Sequence, residues 1–203
     1  MFPRSFALSV ASEFLEELAP VCRRIEIAGS IRREKPEVNN VDIAAVPRVV
    51  QLLNPGGDAG IIDQDLLGAK LAYLHACGWF TVHSNGPRVK RLSVHSNGPR
   101  VKRFSVHSDG PRVERFIGLD ERGALPITIR ITDEESWWTS LLVTTGSHGH
   151  NIAMSCRALD RGMRLRGDGS GLFEADGTRV VVNSEEEIFA ILGLEYRPPS
   201  SRV

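Results

Sequence analysis

A glycine–serine turn followed by two arginines is the sharpest chemical signal in this 203-residue chain. Gly29 and Ser30 come after a short strand-like stretch, and Arg32 and Arg33 follow almost at once. Backbone N–H groups at such a turn can approach a phosphate closely, and an arginine can pair with the phosphate charge. A surface turn beside basic residues is the plainer interpretation. The motif alone is therefore a weak prediction of a phosphate site.

The next residue able to do chemistry is an acid inside an apolar run. Residues 41–46 read VDIAAV, which predicts a strand buried on both faces that carries Asp42. A carboxylate in such a strand must bind a metal ion or be satisfied by other groups, because an unpaired buried charge is costly. The turn and the acid together predict a site where a phosphate meets a carboxylate.

These motifs resemble those of the family X DNA polymerases, which are DNA polymerase beta-like nucleotidyltransferases. The family pattern is Gly-Ser-x-Arg-Arg, then six residues, then two acids separated by one residue. The stretch GSIRREKPEVNNVD matches this pattern except at the first acid, where it has an asparagine. The stretch TTGSHGHNIAMSCRALDRGMRL resembles the family's Thr-Gly-Ser-x-x-x-Asn helix, and residues 171–202 resemble its C-terminal end. The resemblance covers residues 6–202 and implies only the palm and the C-terminal subdomain, so lyase activity is not expected.

The resemblance implies a reaction and its partners. The family transfers a deoxynucleotide to a primer 3′-hydroxyl, so the expected partners are a deoxynucleoside triphosphate and gapped or primer–template DNA, bound by a monomer. Ser30 and Arg33, with the Gly29 turn, resemble the residues that hold the triphosphate. Three further residues resemble those that line the sugar and base: Gly146, Ser147 and Asn151.

The catalytic acids are where the resemblance fails. The family holds two Mg²⁺ ions with three carboxylates, but the three matching positions here are Asn40, Asp42 and Thr128. Asp42 alone is expected to hold Mg²⁺, or Mn²⁺, weakly if at all, unless Glu26 or Asp133 substitutes as a ligand. The expectation is a nucleotide- and DNA-binding protein with weak or lost polymerase activity. The alternatives are an active minimal gap-filling polymerase and a structural protein built around its internal repeat.

That repeat has a period of 12 residues, starting at Val82, Val94 and Val106, and it is strongly basic. Each copy joins an Asn-Gly-Pro or Asp-Gly-Pro turn to a strand-like stretch, which predicts an antiparallel hairpin meander over residues 82–117. Its strands are expected to contact DNA phosphates, although a solvated face or a simple duplication explains the pattern equally well. A histidine ladder that binds metal is a weaker alternative. The residues concerned are Arg88, Lys90, Arg91, Arg100, Lys102 and Arg103 for DNA, and His83, His95 and His107 for the ladder.

The elements around these motifs predict an α+β fold. Apolar periodicity and turn signals place helices at residues 6–24, 66–76 and 151–162 and strands at 23–28, 41–46, 125–131 and 180–182. Residues 137–143 are helix or strand, and Ser184 caps a last helix, with Glu187 at the capping-box position. The tail from residue 197 is expected to be extended. With the resemblance, this implies a nucleotidyltransferase palm over residues 1–140, with a mixed sheet, helices on one side and the meander, and a small C-terminal α/β subdomain over residues 141–203.

Composition excludes several classes of protein. The 25 Lys and Arg balance the 25 Asp and Glu, so the basic repeat is offset by acidic residues elsewhere. The three cysteines lie far apart, which excludes a disulfide framework and disfavours a zinc site. Since the chain has neither a run of about 20 apolar residues nor a signal peptide, a cytoplasmic protein is expected. The family resemblance, with the compactness of the chain, implies that it comes from a bacterium or phage.

Overall fold

The computed structural model describes the backbone of residues 1–53, 61–76, 80–86, 89–93, 104–105, 113–120 and 123–202. Within these ranges the chain is α+β, as predicted. Two 3-10 helices, Ala19–Val21 and Pro199–Ser201, accompany the α-helices. The α-helices are α1 (Arg4–Leu18), α2 (Gly29–Arg32), α3 (Leu66–Ala76), α4 (Trp137–Thr145), α5 (His148–Asp160) and α6 (Glu185–Ile191).

The strands form several small sheets around one mixed sheet. The strands are β1 (Phe2–Pro3), β2 (Cys22–Ile27), β3 (Glu37–Val38), β4 (Val41–Pro47), β5 (Val49–Leu53), β6 (Ile61–Asp65), β7 (Phe80–Gly86), β8 (Val89–Ser93), β9 (Phe104–Ser105), β10 (Val113–Asp120), β11 (Gly123–Ile131), β12 (Arg164–Leu165), β13 (Leu172–Phe173) and β14 (Arg179–Val180). The mixed sheet has the strand order β10-β11-β4-β2. Two smaller sheets pair β1 with β3 and β5 with β6, and two three-stranded sheets have the orders β8-β7-β9 and β12-β13-β14.

The central strand β4 is buried on both faces, as its unbroken apolar sequence predicts. It pairs antiparallel with β2 and parallel with β11. One face, which includes Ile43, packs in a cluster with residues of α1 and α3. The other face packs Ala44 and Val46 against Trp137 and Leu141 of α4. Helices therefore cover both sides of the sheet rather than the one side expected, because successive side chains of a strand point to opposite faces and both faces of β4 are apolar.

The first helix is shorter than its apolar periodicity predicts. It ends at Leu18, after which Ala19–Val21 form a 3-10 turn and β2 begins at Cys22. Pro20 accounts for the difference, because proline has no N–H to donate within an α-helix and its ring clashes with the preceding turn. The chain therefore reverses into the central sheet several residues earlier than expected.

The C-terminal elements pack around an apolar cluster of their own. It includes Leu142, Met154, Leu172 and Phe189, and it is separate from the cluster on the α1 side of the sheet. The open assignment at residues 137–143 resolves as a helix, and α5 begins earlier than predicted, at His148, because Ser147 caps it. The division of the chain at residue 140 remains a prediction.

The cap predicted for the last helix is present. The backbone N–H of Glu187 donates to Ser184 Oγ at 3.1 Å. The Glu187 carboxylate accepts from the backbone N–H of Asn183 at 2.6 Å, one residue before the position of a standard capping box. The tail, predicted to be extended, instead contains the 3-10 turn Pro199–Ser201.

The repeat region is described only in part. Strands β7 and β8 form an antiparallel hairpin, as the turn signals predict. Strand β9 pairs parallel with β7, which a simple meander does not do, and these three strands form a sheet separate from the central one. Among the described residues, no helix combines the length and the apolar character that crossing a membrane requires.

Candidate functional site

The Gly-Ser turn lies directly against β4. Gly29 has a φ of +59°, and a Cβ atom at this position would collide with Oδ2 of Asp42. The backbone N–H of Ala28 donates to the carbonyl oxygen of Asp42 at 2.7 Å. Only glycine accepts both this backbone conformation and this close approach. The turn and the acid, predicted to act together, are therefore in contact.

The three positions expected to carry catalytic acids converge on the same part of the sheet. Asn40 precedes β4, and its Nδ2 donates to Oδ1 of Asp42 at 2.7 Å. Thr128 of β11 is the direct partner of Asp42 in the parallel ladder, so both side chains lie on one face of the sheet. Thr128 is buried. The three positions therefore lie close together, but two of them, Asn40 and Thr128, do not carry an acid.

These residues do not fit a two-metal centre. A metal ligand must present a lone pair, whereas the Asn40 amide presents an N–H to the Asp42 carboxylate. Asp133, considered as a substitute ligand, accepts from the backbone N–H of Ser136 at 2.8 Å and lies 4.0 Å from Arg179. Within the part of the chain that the structure describes, no three His, Cys, Asp or Glu side chains cluster as metal ligands do, and Glu26 forms no such group either.

A cavity of about 290 Å³ opens beside Asp42. Two buried polar atoms of its walls, Ser30 Oγ and Arg33 Nε, have no hydrogen-bond partner among the residues that the structure describes. Burial lowers the pKa of Arg33 and the nearby Asp42 carboxylate opposes that shift, but a guanidinium stays charged in proteins. The charged and polar residues that line the cavity are Ser30, Arg33, Lys35, Glu37, Asn39, Asn40 and Asp42.

The second predicted group, at the start of α5, lies next to Arg33. The Arg33 Nη1 atom donates to the carbonyl oxygen of Thr145. A Cβ atom on Gly146 would lie 3.7 Å from that same Nη1 and 3.4 Å from Asn151 Nδ2. Ser147 caps α5 by accepting from the backbone N–H of His150 at 3.2 Å. The structure therefore brings the triphosphate and the sugar–base candidates together, although more than 100 residues separate them.

Asn151 has one hydrogen-bonding group engaged and one unpartnered. Its Nδ2 donates to the carbonyl oxygen of Val143 at 2.7 Å, which ties α5 to α4. Its Oδ1 is buried and has no partner. Gly146 has a φ of +52°, and its peptide bond to Ser147 is cis. The Nδ2 hydrogen bond therefore fixes the Asn151 side chain, and Oδ1 remains available as an acceptor.

A buried carboxylate links the two halves of the site, and sequence reasoning missed it. Glu185 accepts from Arg32 at 2.8 and 3.0 Å and from Arg202 at 3.0 and 3.1 Å. Burial would raise the pKa of Glu185, but the hydrogen bonds from Arg202 and Arg32 hold that pKa below its usual value. Arg32 also donates to Thr145 Oγ1 at 2.8 Å. The only signal in the sequence was an acid in the first turn of a capped helix, which alone predicts a favourable dipole interaction.

The contacts predicted between the repeat and DNA remain a prediction, because the structure describes no side chain of the residues concerned. Lys90 and Arg91 belong to β8, whose backbone alone is described. His83 lies in β7 and has the same status. The rest lie outside the described residues: Arg88, Arg100, Lys102, Arg103, His95 and His107.

Comparison with known proteins identifies the fold. The DNA polymerase beta thumb family matches residues 140–203. A Leishmania infantum polymerase beta, solved as a ternary P/T complex, superposes with a TM-score of 0.70 at 22% identity, covering 100% of this chain and 76% of that one. The same enzyme in a ternary gap complex gives 0.68 at 21% identity, with 99% and 70% covered. A search of curated proteins found no match. The predicted resemblance is confirmed: the chain has the fold of DNA polymerase beta, and its last 64 residues are similar to the polymerase beta thumb.

Proposed function

We propose that this protein binds a deoxynucleoside triphosphate and DNA, as a monomer, with polymerase activity weak or lost. One observation carries the proposal: the Asn40 amide donates to Asp42 where the family pattern has its first acid, and Thr128 stands beside Asp42 where the pattern has its third. The protein would thus bind the substrates of a polymerase but catalyse nucleotide transfer weakly or not at all.

Binding is supported by the groups around the cavity. Ser30 Oγ and Arg33 Nε are buried and unpartnered, so a phosphate oxygen would satisfy them. On the other side of Arg33, Asn151 Oδ1 is a buried acceptor for a sugar hydroxyl or a base N–H. Both halves of a nucleotide thus have polar partners within one continuous region. Residues 1–140 would hold the phosphates and residues 141–203 the sugar and base.

Weak catalysis follows from the charge of the site. Phosphoryl transfer places charge on the transferred group, and the two missing carboxylates would have held the cations that stabilise it. If their loss removes about 4 kcal/mol of transition-state stabilisation, the rate falls about a thousandfold, because each 1.36 kcal/mol is a factor of ten. The residues around the cavity would still bind and position the nucleotide.

Primer extension on gapped DNA tests the activity. With Mg²⁺ or Mn²⁺ the wild-type protein is expected to extend at or near background, and N40D/T128D to extend faster. An N39D variant is the matched control, since it adds an acid in the same cavity but not at a family position. Robust wild-type extension that is lost in D42A would show that the protein is an active gap-filling polymerase instead. Failure of N40D/T128D to gain activity would contradict the assignment of these two positions.

DNA binding by the repeat is tested separately, by fluorescence anisotropy with gapped duplex at several salt concentrations. The variant lacks residues 82–105, the first two repeat copies, and keeps β10 paired with β11. The deletion removes all six cations predicted to contact DNA. If each contacts one phosphate, the slope of log K against log salt becomes shallower by about 5, because each contact contributes roughly 0.9. An unchanged slope would show that the repeat is not a phosphate-contacting surface.

A further inference from the structure

We infer that the cavity beside Asp42 takes its triphosphate free of divalent metal, so that nucleotide binding does not depend on Mg²⁺. The inference rests on the proposed function and specifies the form of the ligand. It differs from the expectation from the sequence, in which Asp42 holds a Mg²⁺ or Mn²⁺ ion weakly. Three features of the described residues support it: the state of the Asp42 carboxylate, the unpartnered donors and the charge of the cavity wall.

The Asp42 carboxylate is already engaged by the protein. Oδ1 accepts from the Asn40 amide at 2.7 Å. Oδ2 packs so closely against the Gly29 backbone that no Cβ atom fits between them. The Asn40 N–H occupies one lone pair that a metal ion at this carboxylate could use, and the Asn40 side chain could offer such an ion at most a neutral amide oxygen. The protein thus satisfies Asp42 with hydrogen-bond donation, as it would a structural acid.

The unpartnered atoms of the cavity wall fit an anion better than a cation. Ser30 Oγ and Arg33 Nε are both buried, both lack a partner and both can donate a hydrogen bond. An unmade hydrogen bond at a buried donor is costly, so the wall favours a ligand that brings acceptors. The oxygens of a phosphate are such acceptors, whether or not a metal ion is attached to the ligand.

The charge of the wall points the same way. Arg33 and Lys35 contribute two cations, and Glu37 and Asp42 contribute two carboxylates, so the lining has no net charge. Acids at positions 40 and 128 would repel a bare triphosphate, and a divalent cation would be needed to offset them. With neutral side chains at both positions that need is absent. A Mg²⁺ ion on the nucleotide would only compete with Arg33 and Lys35 for the same phosphate oxygens.

Isothermal titration calorimetry with dATP, and with inorganic tripolyphosphate, tests the inference. The expected result for the wild-type protein is a dissociation constant in EDTA within about threefold of that in Mg²⁺, or tighter. Binding of dATP that weakens more than about tenfold in EDTA would overturn the inference while leaving the proposed function intact. Binding of neither ligand, with or without Mg²⁺, would overturn both.

Variants show whether the two missing acids are the cause. N40D/T128D is expected to bind dATP about tenfold more weakly in EDTA and to recover affinity with Mg²⁺, because two added carboxylates each cost roughly half a decade or more. N39D adds charge to the same wall away from the family positions, so it should lose some affinity in EDTA without acquiring a response to Mg²⁺. A response to Mg²⁺ in N39D equal to that in N40D/T128D would overturn the assignment to positions 40 and 128. Thermal melts of all variants establish that they are folded.

Discussion

Replacing Glu185 with glutamine should cost more stability than any single change at the surface. Glu185 is 2% exposed, and its side chain accepts four hydrogen bonds from Arg32 and Arg202. Glutamine keeps the shape of the side chain but removes the charge and one acceptor oxygen. Arg202, itself buried, is then left without its counter-charge. Breaking one member of such a buried pair costs about 3–5 kcal/mol.

Urea and thermal unfolding measure this cost. For a chain of this length 1 kcal/mol corresponds to about 2–4 °C in Tm, so E185Q should melt at least 6 °C below wild type. The matched control is E186Q, because Glu186 lies in the same first turn of α6 and is exposed. Surface changes of that kind shift stability by less than about 0.5 kcal/mol.

A double-mutant cycle separates the cause from the cost. If the stranded Arg202 charge accounts for most of the loss, R202M should cost clearly less in the E185Q background than in the wild type. Equal costs in both backgrounds, or a loss below about 1 kcal/mol for E185Q, would refute the reasoning that the pair is coupled and buried.

Three further predictions concern single sites. G29A should destabilise the protein by about 2 kcal/mol or more in urea unfolding and weaken dATP binding, since alanine disfavours the positive φ and its Cβ collides with Asp42; unchanged stability would contradict the geometry of the turn. Burial, with the positive charge of Arg202 next, lowers the pKa of His150 in the folded state. Because the unfolded chain then takes up the proton first, stability should fall as the pH drops below about 6.5 and should be fully present above it. That pH dependence, measured by urea unfolding between pH 5 and 8, should weaken in H150F, and a slope identical to wild type would remove His150 as its source. Burial raises the pKa of the Cys22 thiol to about 11, so at pH 8 iodoacetamide should label the exposed Cys156 and spare Cys22 in peptide mapping; equal labelling would show that Cys22 is accessible.

The sequence predicted the elements best where local chemistry decides them. The helix at residues 66–76 and the Ser184 cap follow from periodicity and capping residues alone, and both are confirmed. The predicted end of the first helix, at residue 24, is wrong, because Pro20 outweighs the helical pattern and α1 ends at Leu18. Both faces of β4 are apolar, which is enough to predict helices on both sides of the sheet rather than on one.

The site was predictable only as far as motif and resemblance reach. Asn40 and Asp42 are close because they are two residues apart, but the pairing of Asp42 with Thr128 depends on a parallel register that no local pattern encodes. The Glu185 link joins residues 153 and 17 positions apart. Charge complementarity alone could not select those partners among the 25 cations and 25 acids of the chain.

The two adjacent arginines of the turn both contact the C-terminal half of the protein. Arg33 lines the cavity beside Asp42 and donates to the Thr145 carbonyl, while Arg32 donates to Thr145 Oγ1 and to Glu185. Because both side chains leave one short helical turn, a ligand that draws Arg33 towards it also acts on the contact that joins the two apolar cores. Such an effect is reciprocal by thermodynamic necessity. Occupancy of the cavity should therefore make the two cores melt more nearly as one cooperative unit, and loosening of either core should weaken ligand binding.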